Sequence, residues 1–218
     1  MKRPSARELE PALDALPLFP LPAVLFPGAL MPLHVFEPRY RAMVKDCLAT
    51  HGALAIAYVT SAEAIDAHGH PRIAEVAGAG LIVDHAELPN GRYNILVEGR
   101  ARVRLEELPF VPPYRRARAR VIVPASIAVA PSDVAALRAA AMAFAARVRE
   151  REPRFELSLP RDIGSDALAD LCAHHLVLDG RERQALLELE DPVERTRRTT
   201  EALVVQRLAL SSDRRDLN

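Results

Sequence analysis

The sequence predicts an α+β protein in which a β-rich unit with one helix precedes an all-helical unit. Eight of the 18 prolines fall within residues 1–40, where they favour short edge strands and irregular extended segments because proline removes a backbone donor. The pair Asn90-Gly91 predicts the tight turn of a β-hairpin, since such turns demand a positive φ. After Pro124 the apolar residues recur at helical spacing, as Leu137 and Ala141 do.

The β-rich unit begins with two predicted strands in its proline-rich start, Leu16–Phe19 and Leu30–Phe36. Glu37-Pro38 then predicts the start of a helix, because proline is favoured at the first helical position. The remaining predicted elements are strands at Ala53–Thr60, Val76–Leu88, Tyr93–Leu105 and Tyr114–Val123, and a loop at residues 61–72. Gly78 and Gly80 predict a bulge or a close approach of another backbone.

Four N-cap residues divide the helical unit into about four helices. These predicted caps are Ser132, Ser165, Asp179 and Asp191. Each aspartate is followed three residues later by a glutamate, which makes a capping box. The last helix, at about residues 192–211, is predicted to bury Val193, Leu203, Val204 and Leu208.

We expect three parts along the chain: an N-terminal tail at residues 1–13, a β-rich domain at 14–124 and a helical domain at 125–218. The formal net charge is zero, which argues against a whole-chain attraction to nucleic acid or acidic membranes. The most apolar stretch, Leu16 to Phe36, contains five prolines, whereas a membrane span needs about 20 uninterrupted apolar residues. Because no secretory signal is evident either, we expect a cytoplasmic protein without membrane association.

The order of motifs in the β-rich unit resembles a known family. The run LPLFPLPAVLFPGALMPLHVFEPRYRAMVKDCL, from Leu16 to Leu48, includes Phe36-Glu37-x-Arg39-Tyr40 at the start of a helix. The hairpin LPNGRYNILVEGRARVRL follows from Leu88, and LLELEDPVERTRRTTEALV lies in the helical unit from Leu186. Together they resemble the N-terminal substrate-recognition domain of the ATP-dependent Lon proteases, over about residues 14–210.

This resemblance implies a PUA-like β pseudo-barrel with one inserted helix, followed by a helical bundle. It also implies binding of unfolded or exposed protein segments, with a protease or chaperone as a further partner. The peptide-binding residues that we predict are Phe36, Arg39, Tyr40, Tyr93, Arg100 and Arg102. An apolar groove between the two units is the expected binding mode.

Lon proteases carry an ATPase and a serine–lysine protease domain, and the motifs of neither occur in this sequence. A phosphate-binding P-loop needs a Gly-Lys pair, which is absent. The two lysines are Lys2, in the predicted tail, and Lys45, on a predicted core-packed helix, and neither is a plausible catalytic base. The sequence therefore predicts a stand-alone, non-catalytic recognition module with no cofactor and no metal, for which an adaptor role in protein quality control is the expectation.

Three other chemistries remain open as alternatives. His68-x-His70 with Asp66, and His85 as a further candidate, could bind a metal, but two neighbouring ligands on one loop do not make a closed tetrahedral set, so a polar loop is the favoured interpretation. Cys47 could be a nucleophile activated by His51, one helical turn later, or a buried core residue.

The third alternative is RNA binding by two arginine-lined strands. The alternating arginines, which share a strand face, are Arg100, Arg102 and Arg104, and Arg116, Arg118 and Arg120. If the two faces adjoin, they form a basic surface that would bind phosphates. Neighbouring glutamates and the lack of interleaved aromatic residues weigh against this interpretation.

Overall fold

A computed structural model describes residues 5–212, which form one compact unit ending at Val123 and a second beginning at Pro124. Lys2 and the rest of residues 1–4 of the predicted tail lie outside the described residues. The remainder of that segment differs from a tail, because Ala6–Ala12 forms a 3-10 helix. Its Leu9 is fully buried in the core of the first unit, so apolar burial fixes this short helix.

Within residues 5–123, the first unit is built from seven strands, one α-helix and the 3-10 helix. Its elements are β1 (Leu16–Leu21), β2 (Leu30–Val35), α1 (Pro38–Ala49), β3 (Ala53–Ile65), β4 (Pro71–Ile73), β5 (Val76–Glu87), β6 (Tyr93–Glu107) and β7 (Arg116–Val121). The pairings run β1–β7–β6–β5–β3 and return to β1, so five strands form a closed ring. The predicted α+β class, with a β pseudo-barrel and an inserted helix, is therefore confirmed.

The ring closes because β1 pairs with two strands. Leu18 lies beside Ala55 in a parallel pair with β3, and Leu16 lies opposite Ala117 in an antiparallel pair with β7. The prolines of β1 therefore lie in a strand that is paired on both sides within the ring. This differs from the sequence prediction that they belong to edge strands. Most core positions inside the ring are alanines, whose small side chains suit a narrow barrel; they are Ala53, Ala55, Ala77, Ala79, Ala101, Ala117 and Ala119.

The predicted loop at residues 61–72 is largely a hairpin, so this prediction is wrong. β3 continues to Ile65, and β4 pairs back onto it. The turn is stabilised by Asp66, whose Oδ1 accepts hydrogen bonds from the backbone N–H groups of His68 and His70 at 2.8 and 2.9 Å. This side-chain-stabilised turn allows both flanking segments to extend as strands.

A chain segment that crosses the outside of the ring positions β2. Residues Val24–Phe26 are buried there against β5 and β6. A Cβ atom added at Gly78 would lie 1.8 Å from the Leu25 carbonyl oxygen, and one at Gly99 would lie 2.1 Å from that of Phe26. Only glycine permits this approach, so the predicted close contact at Gly78 is confirmed. The Gly28 N–H then donates to the Gly99 carbonyl at 2.8 Å, immediately before β2 begins.

The second unit contains four helices within the described residues. They are α2 (Pro131–Arg149), α3 (Ser165–Leu176), α4 (Gly180–Glu188) and α5 (Pro192–Ser212). The predicted cap Asp179 is confirmed, since it accepts from the Glu182 N–H at 2.8 Å. The caps predicted at Ser132 and Ser165 are wrong, because the N-cap positions belong to Ala130 and Gly164. Leu208, predicted to be buried, is exposed on α5.

A buried ion pair joins two helices of the second unit. The Arg195 side chain of α5 is fully buried, and its Nε lies 3.1 Å from Oδ1 of Asp170 on α3. Its Nη2 lies 3.4 Å from Oδ1 of Asp166. Across residues 5–212, no helix combines the length and the apolar character needed to cross a membrane.

Candidate functional site

One face of β2 exposes several apolar side chains. Among the strands of the described residues, β2 pairs with β6 alone, so it is an edge strand. Its side chains alternate between exposed and covered positions, and Phe36 continues the exposed row beyond its end. We define the β2 face as the exposed side chains of Leu30, Pro32, His34 and Phe36. Leu30 is 51% exposed and Phe36 is 57% exposed, and their place in one row makes them part of a patch rather than isolated exposed residues.

The strand register extends the β2 face onto two neighbouring strands. Pro32 lies opposite Leu96 of β6, which in turn lies opposite Asp84 of β5. His34 lies opposite Asn94, and its Nδ1–H donates to the Asn94 amide oxygen at 2.7 Å. The result is a three-stranded surface that carries the His34–Asn94 pair, the apolar side chains of β2 and Leu96, and the exposed carboxylate of Asp84.

Pro32 restricts how another chain can bind at this edge. A free edge strand presents backbone groups that can pair with an added strand. Proline has no N–H, and in sheets it is confined to edges where its nitrogen faces outward. The outer edge of β2 therefore lacks a donor in its middle, which disfavours strand addition and leaves the side-chain face as the available contact surface.

Three of the predicted site residues lie together where β2 leads into α1. Phe36 is exposed, whereas Tyr40 is buried with its ring 4.5 Å from that of Phe19. Arg39 covers the outer side of Tyr40 at 4.6 Å from the ring centroid, and its Nη2 lies 2.9 Å from Glu37 Oε2. Burial raises the pKa of the Tyr40 hydroxyl, and the Arg39 charge partly offsets this effect. Tyr40 is therefore a buried packing residue at the junction of β2 and α1.

Tyr93 lies close to this corner but on the covered side of the sheet. It is registered opposite Val35, and it is buried. Burial, followed by the carboxylate of Glu87 that hydrogen-bonds it, raises the pKa of its hydroxyl. Tyr93 therefore contributes to the support of β2, and its ring is not part of the exposed surface.

The two predicted arginines lie further along β6, with Arg100 in a bulge between Gly99 and Ala101 and Arg102 beyond that bulge. Arg100 is held by two carboxylates, with its Nη1 2.7 Å from Glu98 Oε2 and its Nε 3.3 Å from Glu8 Oε2. Arg102 is buried, with its guanidinium 5.8 Å from the ring centroid of Phe26. The structure therefore brings Phe36, Arg39, Tyr40 and Tyr93 together and places Arg100 and Arg102 elsewhere. Peptide contact by any of the six stays a prediction.

Sequence reasoning missed the other members of the β2 face. Leu30, Pro32 and His34 have the same strand parity as Phe36, so they share a face in any strand that spans residues 30–36. That parity is visible in the sequence. Which of the two alternating sets of residues faces outward cannot be read from the sequence, because apolar residues occupy both faces of this strand.

The two arginine-lined strands do adjoin. Arg104 of β6 lies opposite Arg120 of β7, and Glu106 lies opposite Arg118. Because Ala117 and Ala119 point into the core, the β7 arginines lie on the outer face of the ring. Binding of RNA to this face stays a prediction.

The histidine loop and the cysteine give no sign of catalytic chemistry. Within residues 5–212, no three His, Cys, Asp or Glu side chains are grouped as a metal ion would require. The rings of His68 and His70 instead contact Phe110, at 4.9 and 4.5 Å between centroids.

The Cys47 thiol is buried and donates to the Ala53 carbonyl at 3.3 Å. Burial raises its pKa to about 12, so the reactive thiolate is strongly disfavoured. Nδ1 of His51 accepts from the Ala53 N–H at 3.0 Å and is not directed at the thiol. The hypothesis of a Cys47–His51 nucleophile is therefore wrong, and Cys47 is the buried core residue that was its alternative.

Comparison with known proteins gives a consistent result. Residues 15–205 match the family model described as the ATP-dependent protease La (LON) substrate-binding domain. The chain is 32% identical over 208 residues to a Lon protease of Roseiflexus castenholzii, covering 93% of this chain and 25% of that protein. It is 30% identical over 205 residues to a Lon protease of Trichlorobacter lovleyi, covering 91% of this chain and 25% of that protein. The chain thus spans about a quarter of the length of these relatives.

Two solved structures are similar in fold. A Lon N-terminal domain protein from Xanthomonas campestris superposes with a TM-score of 0.60 at 24% identity, over 83% of this chain and 94% of that chain. The N-terminal domain of a Mycobacterium avium complex Lon protease gives a TM-score of 0.62 at 19% identity, over 87% of this chain and 98% of that chain. At these identities the likeness concerns the fold alone.

Proposed function

Because this chain belongs to the family of the ATP-dependent protease La (LON) substrate-binding domain, we propose that it recognises exposed apolar segments of other proteins. The β2 face is the surface that we assign to this binding. Membership of this family supports the class of ligand, and the row of exposed apolar side chains supports the location of the binding surface. The proposal concerns recognition alone and includes no catalytic step.

The exposure of Phe36 is the observation that carries this proposal. A large aromatic side chain that remains more than half exposed leaves apolar area in contact with water. Covering a Phe or Leu side chain completely is worth about 1.5–3 kcal/mol. Since Phe36 and Leu30 are each about half exposed, a ligand that covers both gains roughly 2 kcal/mol from these two contacts.

The geometry favours one class of bound segment. Successive exposed residues of β2 lie about 7 Å apart, since each strand residue rises about 3.3 Å. An extended segment with apolar side chains at every second residue has the same repeat. Because Pro32 interrupts the outer edge, we expect such a segment to lie on the side-chain face and not to pair as an added strand.

We also propose that the module works in the cytoplasm as an adaptor in protein quality control. In this role it would hold an unfolded or exposed segment and pass it to a protease or chaperone. The names of its relatives, which are Lon proteases, support this partner class. The buried Cys47 and the occupied His51 are consistent with a role that needs no nucleophile.

A binding experiment separates this function from RNA binding. A fluorescently labelled, permanently unfolded protein and a labelled single-stranded RNA are each titrated with the purified chain by anisotropy, at about 50 and about 200 mM salt. We expect saturable binding of the unfolded protein that persists at the higher salt, because apolar contacts are not screened. RNA binding that collapses with salt, without affinity for the unfolded protein, would contradict the proposal.

A further inference from the structure

A polar side chain lies within the exposed apolar row of the β2 face. His34 lies two residues before Phe36 on this row, and it is exposed itself. Its ring lies 6.2 Å from that of Phe36 between centroids, at an interplanar angle of 26°. A ligand that covers both Leu30 and Phe36 must therefore also cover the His34 ring, because the strand places that ring between them.

The hydrogen bond to Asn94 orients this ring. Nδ1–H of His34 donates to the Asn94 amide oxygen at 2.7 Å across the β2–β6 pair. When one ring nitrogen of a neutral imidazole carries the hydrogen, the other nitrogen is a hydrogen-bond acceptor. Among residues 5–212, Nε2 of His34 has no hydrogen-bond partner, so its lone pair is available at the exposed surface.

Covering this nitrogen has a cost that depends on the ligand. An acceptor that is buried without a partner loses its hydrogen bond to water, whereas a donor from the ligand replaces that bond. In an extended segment the backbone N–H groups point sideways, and only side chains point toward the covered face. The replacement donor must therefore come from a side chain of the ligand.

We propose that His34 is a specificity-determining residue of the β2 face, which makes this surface prefer a segment that carries an aromatic residue with a hydrogen-bond donor, such as tyrosine, over one that carries phenylalanine. This inference rests on the proposed function of the β2 face. The rings of Phe36 and His34 provide the surface for an aromatic side chain, since aromatic pairs are favourable at centroid distances of about 4.5–7 Å. Nε2 of His34 provides the acceptor for the hydroxyl hydrogen at the tip of the tyrosine ring.

Asp84 of β5 is a second exposed acceptor on the same three-stranded surface. Its Oδ1 accepts from the His85 N–H at 2.9 Å, and it lies opposite Leu96 of β6. His34 lies on β2 itself, in the row that contains Phe36. We therefore assign the donor preference to His34, and the test compares it with Asp84.

Two fluorescein-labelled peptides measure this preference. One carries Leu, Tyr and Leu at alternate positions with Ser between them, and the other has Phe in place of Tyr. The order of residues in each peptide is the same in both chain directions, so the test does not depend on the orientation of the bound segment.

Both peptides are titrated by anisotropy with the wild-type chain and with His34→Phe, Asp84→Asn and Phe36→Ser. His85→Phe is the matched control. His85 is an exposed histidine of β5, and its register opposite Ile95 directs it away from the β2 face.

We expect the wild type to bind the Tyr peptide about fivefold more tightly than the Phe peptide, which is the net effect of one hydrogen bond. His34→Phe should bind the two peptides equally, whereas His85→Phe should keep the fivefold ratio. Phe36→Ser should weaken both peptides, because both use the apolar row. The thermal midpoint of His34→Phe should match that of the wild type, since His34 is exposed.

Three results would overturn the inference. Equal binding of the two peptides by the wild type, with both weakened in Phe36→Ser, would overturn it alone and leave the proposed function standing. A fivefold ratio that persists in His34→Phe would also overturn it, and loss of that ratio in Asp84→Asn would assign the acceptor to the carboxylate. If the wild type binds neither peptide, the proposed recognition of extended apolar segments by the β2 face fails as well.

Discussion

The segment Val24–Phe26 packs so closely on the sheet that one added methyl group should disrupt it. In Gly78→Ala the new Cβ would lie 1.8 Å from the Leu25 carbonyl oxygen and 2.7 Å from its carbonyl carbon. Because these are backbone atoms, the segment must move by more than about 1 Å. All three of its residues are buried, so this movement opens the apolar packing. We expect a loss of about 3 kcal/mol or more in the free energy of unfolding, at the upper end of overpacking.

Urea denaturation followed by circular dichroism measures this loss. Gly69→Ala is the matched control, since Gly69 has a φ of +76° and open space around its Cβ position. Backbone strain alone should make Gly69→Ala about 1 kcal/mol less stable than the wild type. If Gly78→Ala loses no more unfolding free energy than Gly69→Ala does, the close packing of Val24–Phe26 over β5 is wrong.

Two further changes test the second unit and the buried thiols. Arg195→Met leaves Asp170 without its buried partner and should reduce the unfolding free energy by about 3–5 kcal/mol, whereas Arg195→Met/Asp170→Leu should recover most of it. Equal denaturation midpoints for Arg195→Met and the wild type would contradict this. Burial raises the pKa values of Cys47 and Cys172 from 9.0 to about 12, so the folded state retains protons that the unfolded state releases. The unfolding free energy should therefore fall as the pH rises above 9, and fall less steeply in Cys47→Ala/Cys172→Ala; parallel pH profiles would refute the assignment.

Much of the first unit follows from local signals in the sequence. Proline at position 38 begins α1, and the Asn90-Gly91 turn joins β5 to β6. The hairpin at residues 61–72 escaped prediction because an Asp66 side chain, and not a turn of glycine or proline alone, organises it. The 3-10 helix at Ala6–Ala12 escaped prediction because the burial of Leu9 depends on the closed ring.

The site was harder to predict than the fold for a physical reason. Phe36 and Tyr40 are both aromatic residues of one motif, yet the first is exposed and the second is buried. Their exposures differ because Tyr40 packs against Phe19, whereas Phe36 lies on the side of the β2–α1 junction that faces solvent. Likewise, Arg102 alternates with Arg104 along β6, but the segment at Phe26 covers only Arg102. These side chains are covered by residues that are distant in the sequence, so no periodic pattern in the sequence shows which of them are buried.

The comparison of Phe36→Ser with Ile65→Ser in binding a labelled unfolded protein tests the central claim most directly. Ile65 is a matched control because it is 64% exposed in the same unit and lies outside the β2 face. Both variants should keep the thermal midpoint of the wild type, since neither side chain is buried. We predict that Phe36→Ser binds about five- to tenfold more weakly, from about 1 kcal/mol of lost apolar contact, and that Ile65→Ser binds like the wild type. Equal affinities for the two variants would contradict the assignment of the β2 face.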